Sequence, residues 1–397
     1  MMPSKPARYS LFALLYFSQG AVLSFFTAFN AIYLLSHDVS MTRIGLMGTI
    51  ALLPFIFKIF LGMLSDRVNL LGHGHRKPYI LIGLVVQAVC LLVVPQVNPG
   101  THFWLYVALA FLLQLGMALY DTCTDGLALD TTPPEEEGTI QGFMVGGRAL
   151  GVVLIAGIIG LVADRFSWAV AFYTLAALSL LPIPLLLKAR EIKQSEGRRF
   201  EWGAFKAFAQ PAVIGLGLLG ALYSLIINGA NEIVNPFLQS RFSISTTQAG
   251  FLTAVWGLGV VLGGITGGRL TDRLGHARAT QVAMIMALAA IVPLAFIPSA
   301  WLAWGLVAVF GLAYGFYETV YFAISMNYTD RRIAASMFAL LMAVANIGTG
   351  IGLGISGALV DSLGYPITFI ILAGLNLLAI PLLTMIFGRA TEKVQEY

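Results

Sequence analysis

Apolar residues in this chain do not alternate with polar ones; they run in long blocks. Twelve blocks of about 20 residues or more carry almost no charge: 9–35, 42–64, 77–95, 102–129, 138–163, 167–188, 209–236, 247–270, 277–297, 300–327, 332–360 and 364–388. A hydrocarbon core about 30 Å thick takes roughly 20 helical residues to cross. A helix also satisfies its own backbone hydrogen bonds in lipid, which an open strand does not. The pattern predicts an all-α membrane protein with twelve transmembrane helices. The first run starts after Tyr9 and extends past Leu34, too long for a cleaved signal peptide, so it is expected to be the first span.

The connections between blocks are short, with one exception. Residues 188–208 (KAREIKQSEGRRFEWGAFKAF) form the longest charged stretch and divide the spans six and six. This predicts an N-terminal six-helix bundle over 1–188, a cytoplasmic linker over 189–208 and a C-terminal six-helix bundle over 209–397. Residues 200–208 read equally as a surface amphipathic helix anchored by Trp202 and as a solvated linker. With both termini and this linker on one side, that side gathers 18 of the 23 Lys and Arg residues. The other side holds Arg43, Arg165 and Arg241, while Lys58 and Arg148 fall inside spans. The basic side is expected to be cytoplasmic.

Composition narrows the class further. Hydrophobic residues make up 58% of the 397 and charged residues 11%, against roughly 45–50% and about 25% in a soluble domain. Mean hydropathy is +0.85. So few charges exclude a soluble enzyme, a nucleic-acid binder and a disordered chain. Cys90 and Cys123 both lie in apolar runs, which argues against a disulfide framework. The formal charge of +4 sits in the short loops, as membrane topology requires, and does not point to nucleic acid.

The halves repeat each other. Gly62-Met-Leu-Ser-Asp66-Arg67 after the second block matches Gly268-Arg-Leu-Thr-Asp272-Arg273 after the eighth. Leu161-Val-Ala-Asp164 ends the fifth block and Ala358-Leu-Val-Asp361 the eleventh. At that same spacing Tyr120-Asp121-Thr122 falls on Tyr317-Glu318-Thr319, and Asn30 pairs with Asn235 at a similar one. Two parallel six-helix repeats imply transporter architecture, with a solute site expected near mid-membrane between them.

The Gly62–Arg67 block, continued by Gly72-His-Gly-His-Arg76-Lys77 and echoed in the second half, resembles the signature loop of the major facilitator superfamily. That resemblance implies the major facilitator fold of two pseudo-symmetric six-helix bundles. It also implies that Asp66, Arg67, Arg76, Asp272 and Arg273 form a cytoplasmic gate that stabilises an outward-facing state. Helix capping and positive-inside charge would use the same chemistry. A narrower likeness rests on Pro54-Phe-Ile-Phe-Lys58, Asp121-xxx-Asp125-xxxx-Asp130, Pro134-Glu-Glu-Glu-Gly138, Gly138-Thr-Ile-Gln141 and Gly147-Arg148. These resemble the branch containing AmpG-type muropeptide permeases, acetyl-CoA transporters and folate–biopterin transporters. The resemblance implies a proton-driven carrier of an anionic or polar organic solute. The fifth block lacks the glycine–proline motif of drug/proton antiporters, and the exit of the sixth, Pro184-Leu-Leu-Leu-Lys188, lacks the sugar-porter signature.

Charges inside spans carry the candidate chemistry, because each costs roughly 2.5–3.5 kcal/mol even on translocon scales. Asp121 and Asp125 share a helix face in the fourth block; Glu318 is the repeat-mate of Asp121; Glu232 lies in the segment Asn228-Gly-Ala-Asn231-Glu232-Ile-Val-Asn235-Pro236, expected to be bent or locally unwound. These four acids are the candidates for proton coupling. Lys58, Tyr120, Arg148, Asn228, Asn231, Tyr314, Tyr317 and Tyr321 are the candidates for solute binding. Internal ion pairing is the competing account of Lys58 and Arg148. The acids outnumber the bases, and an unpaired carboxyl there would be poised to carry protons. Arg148 has two possible anions to meet: Asp121 or Asp125, and an anionic group of the solute.

No P-loop and no catalytic constellation is present, so neither ATP nor any other cofactor is expected and the protein is not read as an enzyme. His73 and His75 read as loop residues rather than metal ligands. The expected function is secondary active transport of a small polar or anionic organic solute by alternating access, as proton symport, in the inner membrane of a bacterium. The expected partners are the solute, protons and the lipid bilayer, with the protein a monomer and both termini cytoplasmic. A lipid or drug exporter of the same fold, and a non-transporting membrane assembly factor, are the alternatives.

Overall fold

The structure is a computed structural model, and it describes residues 5–70, 74–133, 136–189, 206, 210–328 and 334–392. Among them, twelve helices are long and apolar enough to cross a membrane. They are α1 (Lys5–Ala28), α2 (Met41–Ser65), α3 (Lys77–Gln96), α4 (Phe103–Ala128), α5 (Phe143–Arg165), α6 (Trp168–Lys188), α7 (Pro211–Phe242), α8 (Thr246–Leu274), α9 (His276–Leu294), α10 (Ala300–Ser325), α11 (Met337–Leu363) and α12 (Tyr365–Gly388). Large apolar side chains such as Phe60, Leu154, Leu258 and Val309 stay exposed. Hydrocarbon tolerates such a surface and water does not. The linker expected over 189–208 lies outside the described residues except for Ala189 and Lys206.

The chain forms two compact units. Unit 1 comprises Met1–Val39, Ile50–Arg199 and Ser245–Ala254; unit 2 comprises Ser40–Thr49, Phe200–Ile244 and Val255–Tyr397. Within unit 1, α1 packs on α5 and α3 on α4 and α6; within unit 2, α7 packs on α11 and α9 on α10 and α12. These are the same pairings one repeat apart. The α1–α5 crossing depends on small residues: a Cβ at Gly147 would overlap the Ala13 carbonyl, and one at Gly151 the Phe17 carbonyl. In unit 2, Gly348 and Gly352 of α11 meet the Ala221 and Leu225 carbonyls of α7 in the same way. Close backbone approach of this kind is what holds helices together where lipid removes the hydrophobic drive.

The first two spans are interrupted. The first span interrupts at Phe29 (φ −127°, ψ −19°) and resumes over Asn30–Leu35. The second consists of Met41–Ile56 and Lys58–Arg67, joined at Phe57 (φ −90°, ψ 10°). Pro54 lies inside the first segment, three residues ahead of that break. The unwinding expected near residues 228–236 does not occur. Pro211–Phe242 is one continuous helix with Pro236 inside it. Asn228 satisfies its amide along its own helix, donating to the Ser224 carbonyl at 3.0 Å, so this polar residue needs no opened backbone.

Candidate functional site

The break in α2 makes Lys58 the first residue of the second helical segment. Its ammonium meets both acids of α4. Lys58 Nζ donates to Asp121 Oδ2 and, at 3.2 Å, to Asp125 Oδ2. Asp121 and Asp125 are one turn apart and so present their carboxylates to the same neighbour. On α1, Gln19 and Tyr16 also share a face, three residues apart. Gln19 Nε2 donates to Asp121 Oδ1 at 2.9 Å, and the Tyr16 hydroxyl donates to Asp125 Oδ1. All five side chains belong to unit 1.

The two carboxylates are not equivalent. Asp121 is 5% exposed and each of its oxygens has a donor. The Asp125 side chain is 38% exposed and holds Lys58 at the longer distance. The cluster sums to one uncompensated negative charge, two carboxylates against one ammonium. A buried charge without a partner is costly, so the set has room for one more cation, and a proton is the smallest.

Arg148 takes no part in that cluster. It is exposed on α5, and no described residue forms an ion pair with it. Its backbone lies against Gly20, next to Gln19. Asp121 and Asp125, its expected protein partners, are occupied by Lys58. Tyr120 is 1% exposed, packed inside unit 1, and its hydroxyl finds no partner among the described residues.

In unit 2 the candidates separate into two groups. Tyr314 donates to Asn228 Oδ1 at 2.8 Å, and Asn228 Nδ2 donates to Thr349 Oγ1 at 3.2 Å. Trp256 packs edge-on against Tyr314, ring centroids 5.1 Å apart. Tyr317 and Tyr321 instead stack on Tyr223 and are fully buried. Such burial makes them core of unit 2 in this state rather than cavity lining. Asn231, Glu232 and Glu318 are half-buried on α7 and α10.

The expected gate residues fall in both units. Arg76 donates to Asp130 at 3.2 Å and to the Ser65 hydroxyl at 2.7 Å, and is nearly buried. The side chains of Asp66 and Arg67 lie outside the described residues, and Asp272 and Arg273 are exposed. A second cluster ties the start of α1 to the turn before α5. Arg8 bonds Glu136 and donates to the Thr131 carbonyl at 3.2 Å; Tyr9 donates to Glu136 at 2.9 Å; Lys5 pairs with Glu136 at 2.5 Å. Hydrogen bonding from Lys5, with help from Tyr9 and Arg8, holds the Glu136 carboxyl below its ordinary range.

Sequence reasoning missed Tyr16, Gln19, Trp256 and Thr349. A glutamine and a tyrosine three apart inside the first span were the available signal for the first pair, since both put polar atoms on one face of an apolar helix.

Known proteins share this fold. A family model described as Major Facilitator Superfamily matches residues 12–333 and 216–396. The anhydromuropeptide permease of Escherichia coli (strain K12) is 22% identical over 365 residues, covering 86% of this chain and 72% of the permease. The sialic acid transporter NanX of the same organism is 24% identical over 287 residues, covering 69% of this chain and 67% of that protein. A crystal structure of the nucleoside transporter NupG superposes with a TM-score of 0.81 at 16% identity, over 97% of this chain and 99% of that one.

Proposed function

The chain belongs to the major facilitator superfamily, and from that premise we propose that it is a proton-coupled carrier of a small anionic organic solute. It works by alternating access in the inner membrane of a bacterium, with both termini cytoplasmic. The observation that carries this reading is the division of labour among the intramembrane charges. Lys58 satisfies both aspartates, so Arg148 is left without a protein anion among the described residues. A guanidinium stays protonated under all working conditions and is costly inside a membrane unless it meets an anion. A carboxylate or phosphate on the solute fits its planar fork bidentately.

Proton coupling falls to Asp125 in this reading. Asp121 is anchored at both oxygens, whereas Asp125 is partly exposed and more loosely held. Protonation of Asp125 cancels the cluster's residual charge and leaves Lys58 paired to Asp121 alone. That change in charge beside Arg148 couples proton and solute. The relatives' cargoes, sialic acid and anhydromuropeptide, supply the first compounds for a binding panel.

The test is ligand-induced thermal stabilisation of purified protein against that panel, extended to pterins, nucleotides, acyl-CoAs and peptides. For the compound that stabilises wild type, Arg148→Lys should weaken binding about ten- to a hundredfold, the worth of a lost charge-assisted bidentate contact. Arg148→Ala should abolish it. Normal binding by Arg148→Lys, with Arg148→Ala merely lowering expression, would make Arg148 a structural residue and remove the support for an anionic solute.

A further inference from the structure

The third and sixth helices of each half pair alike, but the seam between them is bridged by a side chain in one half and open in the other. α3 and α9 bury matching positions: Tyr79, Ile80, Gly83, Leu84 and Gln87 in one, Ala279, Thr280, Ala283, Met284 and Ala287 in the other. Lys77 therefore corresponds to Ala277. At the spacing that pairs Asp164 with Asp361, Leu187 at the end of α6 corresponds to Thr384 of α12, and Ala189 to Ile386. In the first half Lys77 spans the seam. Its Nζ donates to the Leu187 carbonyl at 3.3 Å and to the Ala189 carbonyl at 2.5 Å, at the negative end of the α6 dipole. In the second half Ala277 is too short to reach across. The Ile386 carbonyl accepts instead from the Tyr328 hydroxyl, just beyond α10, at 3.0 Å. What remains is a cavity of about 200 Å³ within unit 2, lined by Ala277, Gln281, Leu383, Thr384, Phe387 and Gly388.

Water is a poor tenant of this space. An ordered water needs two to four polar partners. Of the two polar side chains in the lining, Thr384 already donates to the Pro381 carbonyl at 2.7 Å. The walls are graded in a way that suits an amphiphile. The cavity brings the start of α9 to the end of α12, so the two helices run antiparallel here. Arg278, Gln281 and Ile285 follow one exposed face of α9; Thr384, Ile380 and Leu377 follow one exposed face of α12. On both helices the polar groups lie at the membrane rim and the apolar ones deeper. Arg278 and Gln281 form no hydrogen bond or ion pair among the described residues. The first turn of α9 has no side-chain cap and no acidic residue, so the positive end of its dipole adds to the Arg278 charge.

We propose that the cleft between α9 and α12 binds one anionic phospholipid, with its phosphate held by Arg278 and Gln281 and an acyl chain lying along Ile285, Ile380 and Phe387. A cationic rim above an apolar wall is complementary to that molecule and to neither of its parts. A zwitterionic lipid offers Arg278 no net charge to neutralise, and a free phosphate leaves the apolar wall uncovered. Basic pockets between membrane helices take anionic headgroups on this principle. The corresponding cleft of the first half is filled by Lys77, and Pro78 stands there in the place of Arg278, so the site belongs to the second half alone.

Native mass spectrometry of the full chain purified in detergent tests this, with dioleoylphosphatidylglycerol and dioleoylphosphatidylcholine as probes. Wild type should retain one phosphatidylglycerol at least fivefold more tightly than phosphatidylcholine. Arg278→Ala should weaken phosphatidylglycerol binding roughly fivefold, the factor that about 1 kcal/mol per basic side chain gives, and leave phosphatidylcholine unchanged. Arg278→Lys keeps the charge and should stay within twofold of wild type. Thr384→Phe places a ring in the cavity from an exposed position and should reduce retention of phosphatidylglycerol at least as far; Thr384→Leu serves if the larger variant does not fold. Arg269→Ala, at another exposed arginine, should change nothing.

Equal retention of the two lipids by wild type would overturn the site. So would an equal loss in Arg269→Ala and Arg278→Ala, which would reduce the preference to diffuse charge. Undiminished binding in both Thr384 variants would remove the cavity from the account. Glycerol 3-phosphate at millimolar concentration should not displace the bound lipid; displacement would make this a site for soluble phosphates and refute the lipid assignment.

Discussion

Replacing Lys58 by methionine tests the charged cluster most directly. The substitution keeps most of the side-chain length and removes the one cation that Asp121 and Asp125 share. Breaking a buried ion pair by deleting one partner costs about 3–5 kcal/mol, most of it the penalty of the stranded charge. The Lys58 side chain is 31% exposed, and the Asp125 contact is long, so solvent screening lowers the figure to about 2–3 kcal/mol. For a chain of this size roughly 2 °C of apparent melting temperature accompanies each kcal/mol, giving a loss of about 4–6 °C. The protein carries its own reporter, since the thiols of Cys90 and Cys123 are buried and in no disulfide, and will react with a thiol dye only on unfolding. The decisive comparison is the double variant. Lys58→Met/Asp121→Asn removes one charge of each sign, so it should melt above Lys58→Met by about 3 °C, a coupling that two independent sites would not show. If Lys58→Met melts within 1 °C of wild type, or if the two substitutions simply add, the cluster is not an interacting set and the proton-coupling argument built on it fails.

Asp125→Asn mimics the protonated carboxyl, so it should abolish uphill accumulation of the solute while sparing exchange, measured as counterflow in proteoliposomes; retained accumulation would pass the role to Asp121, Glu232 or Glu318. Glu136 is held below its ordinary range by Lys5, Tyr9 and Arg8. Its contribution is therefore complete above the unfolded carboxyl value and is lost as pH falls through the lowered folded one. Hydrogen exchange at the start of α1 should rise over that acidic window in wild type, and Glu136→Gln should show the raised exchange already at neutral pH; identical profiles would make the cluster incidental.

Much of this protein is legible without coordinates. Twelve apolar runs, one charged linker and the matched Gly62–Arg67 and Gly268–Arg273 blocks follow from sequence because a bilayer imposes one-dimensional rules on length, apolarity and loop charge. The same rules singled out Asp121, Asp125, Lys58 and Arg148, since a charge inside an apolar run stands out by itself. Sequence did not determine which charge meets which. Lys58 rather than Arg148 takes the aspartates, because the segment that Lys58 begins packs on α4. Tyr16 and Gln19 join because α1 also packs on α4 within unit 1. Asp164 and Asp361 could be matched as repeat-mates from sequence, but the helix starts they cap lie 83 and 319 residues away along the chain. Hydropathy fixes which segments enter the membrane. Rotation about each helix axis, and so the partner of each polar side chain, is decided by packing between segments remote in sequence, and no local pattern carries that information.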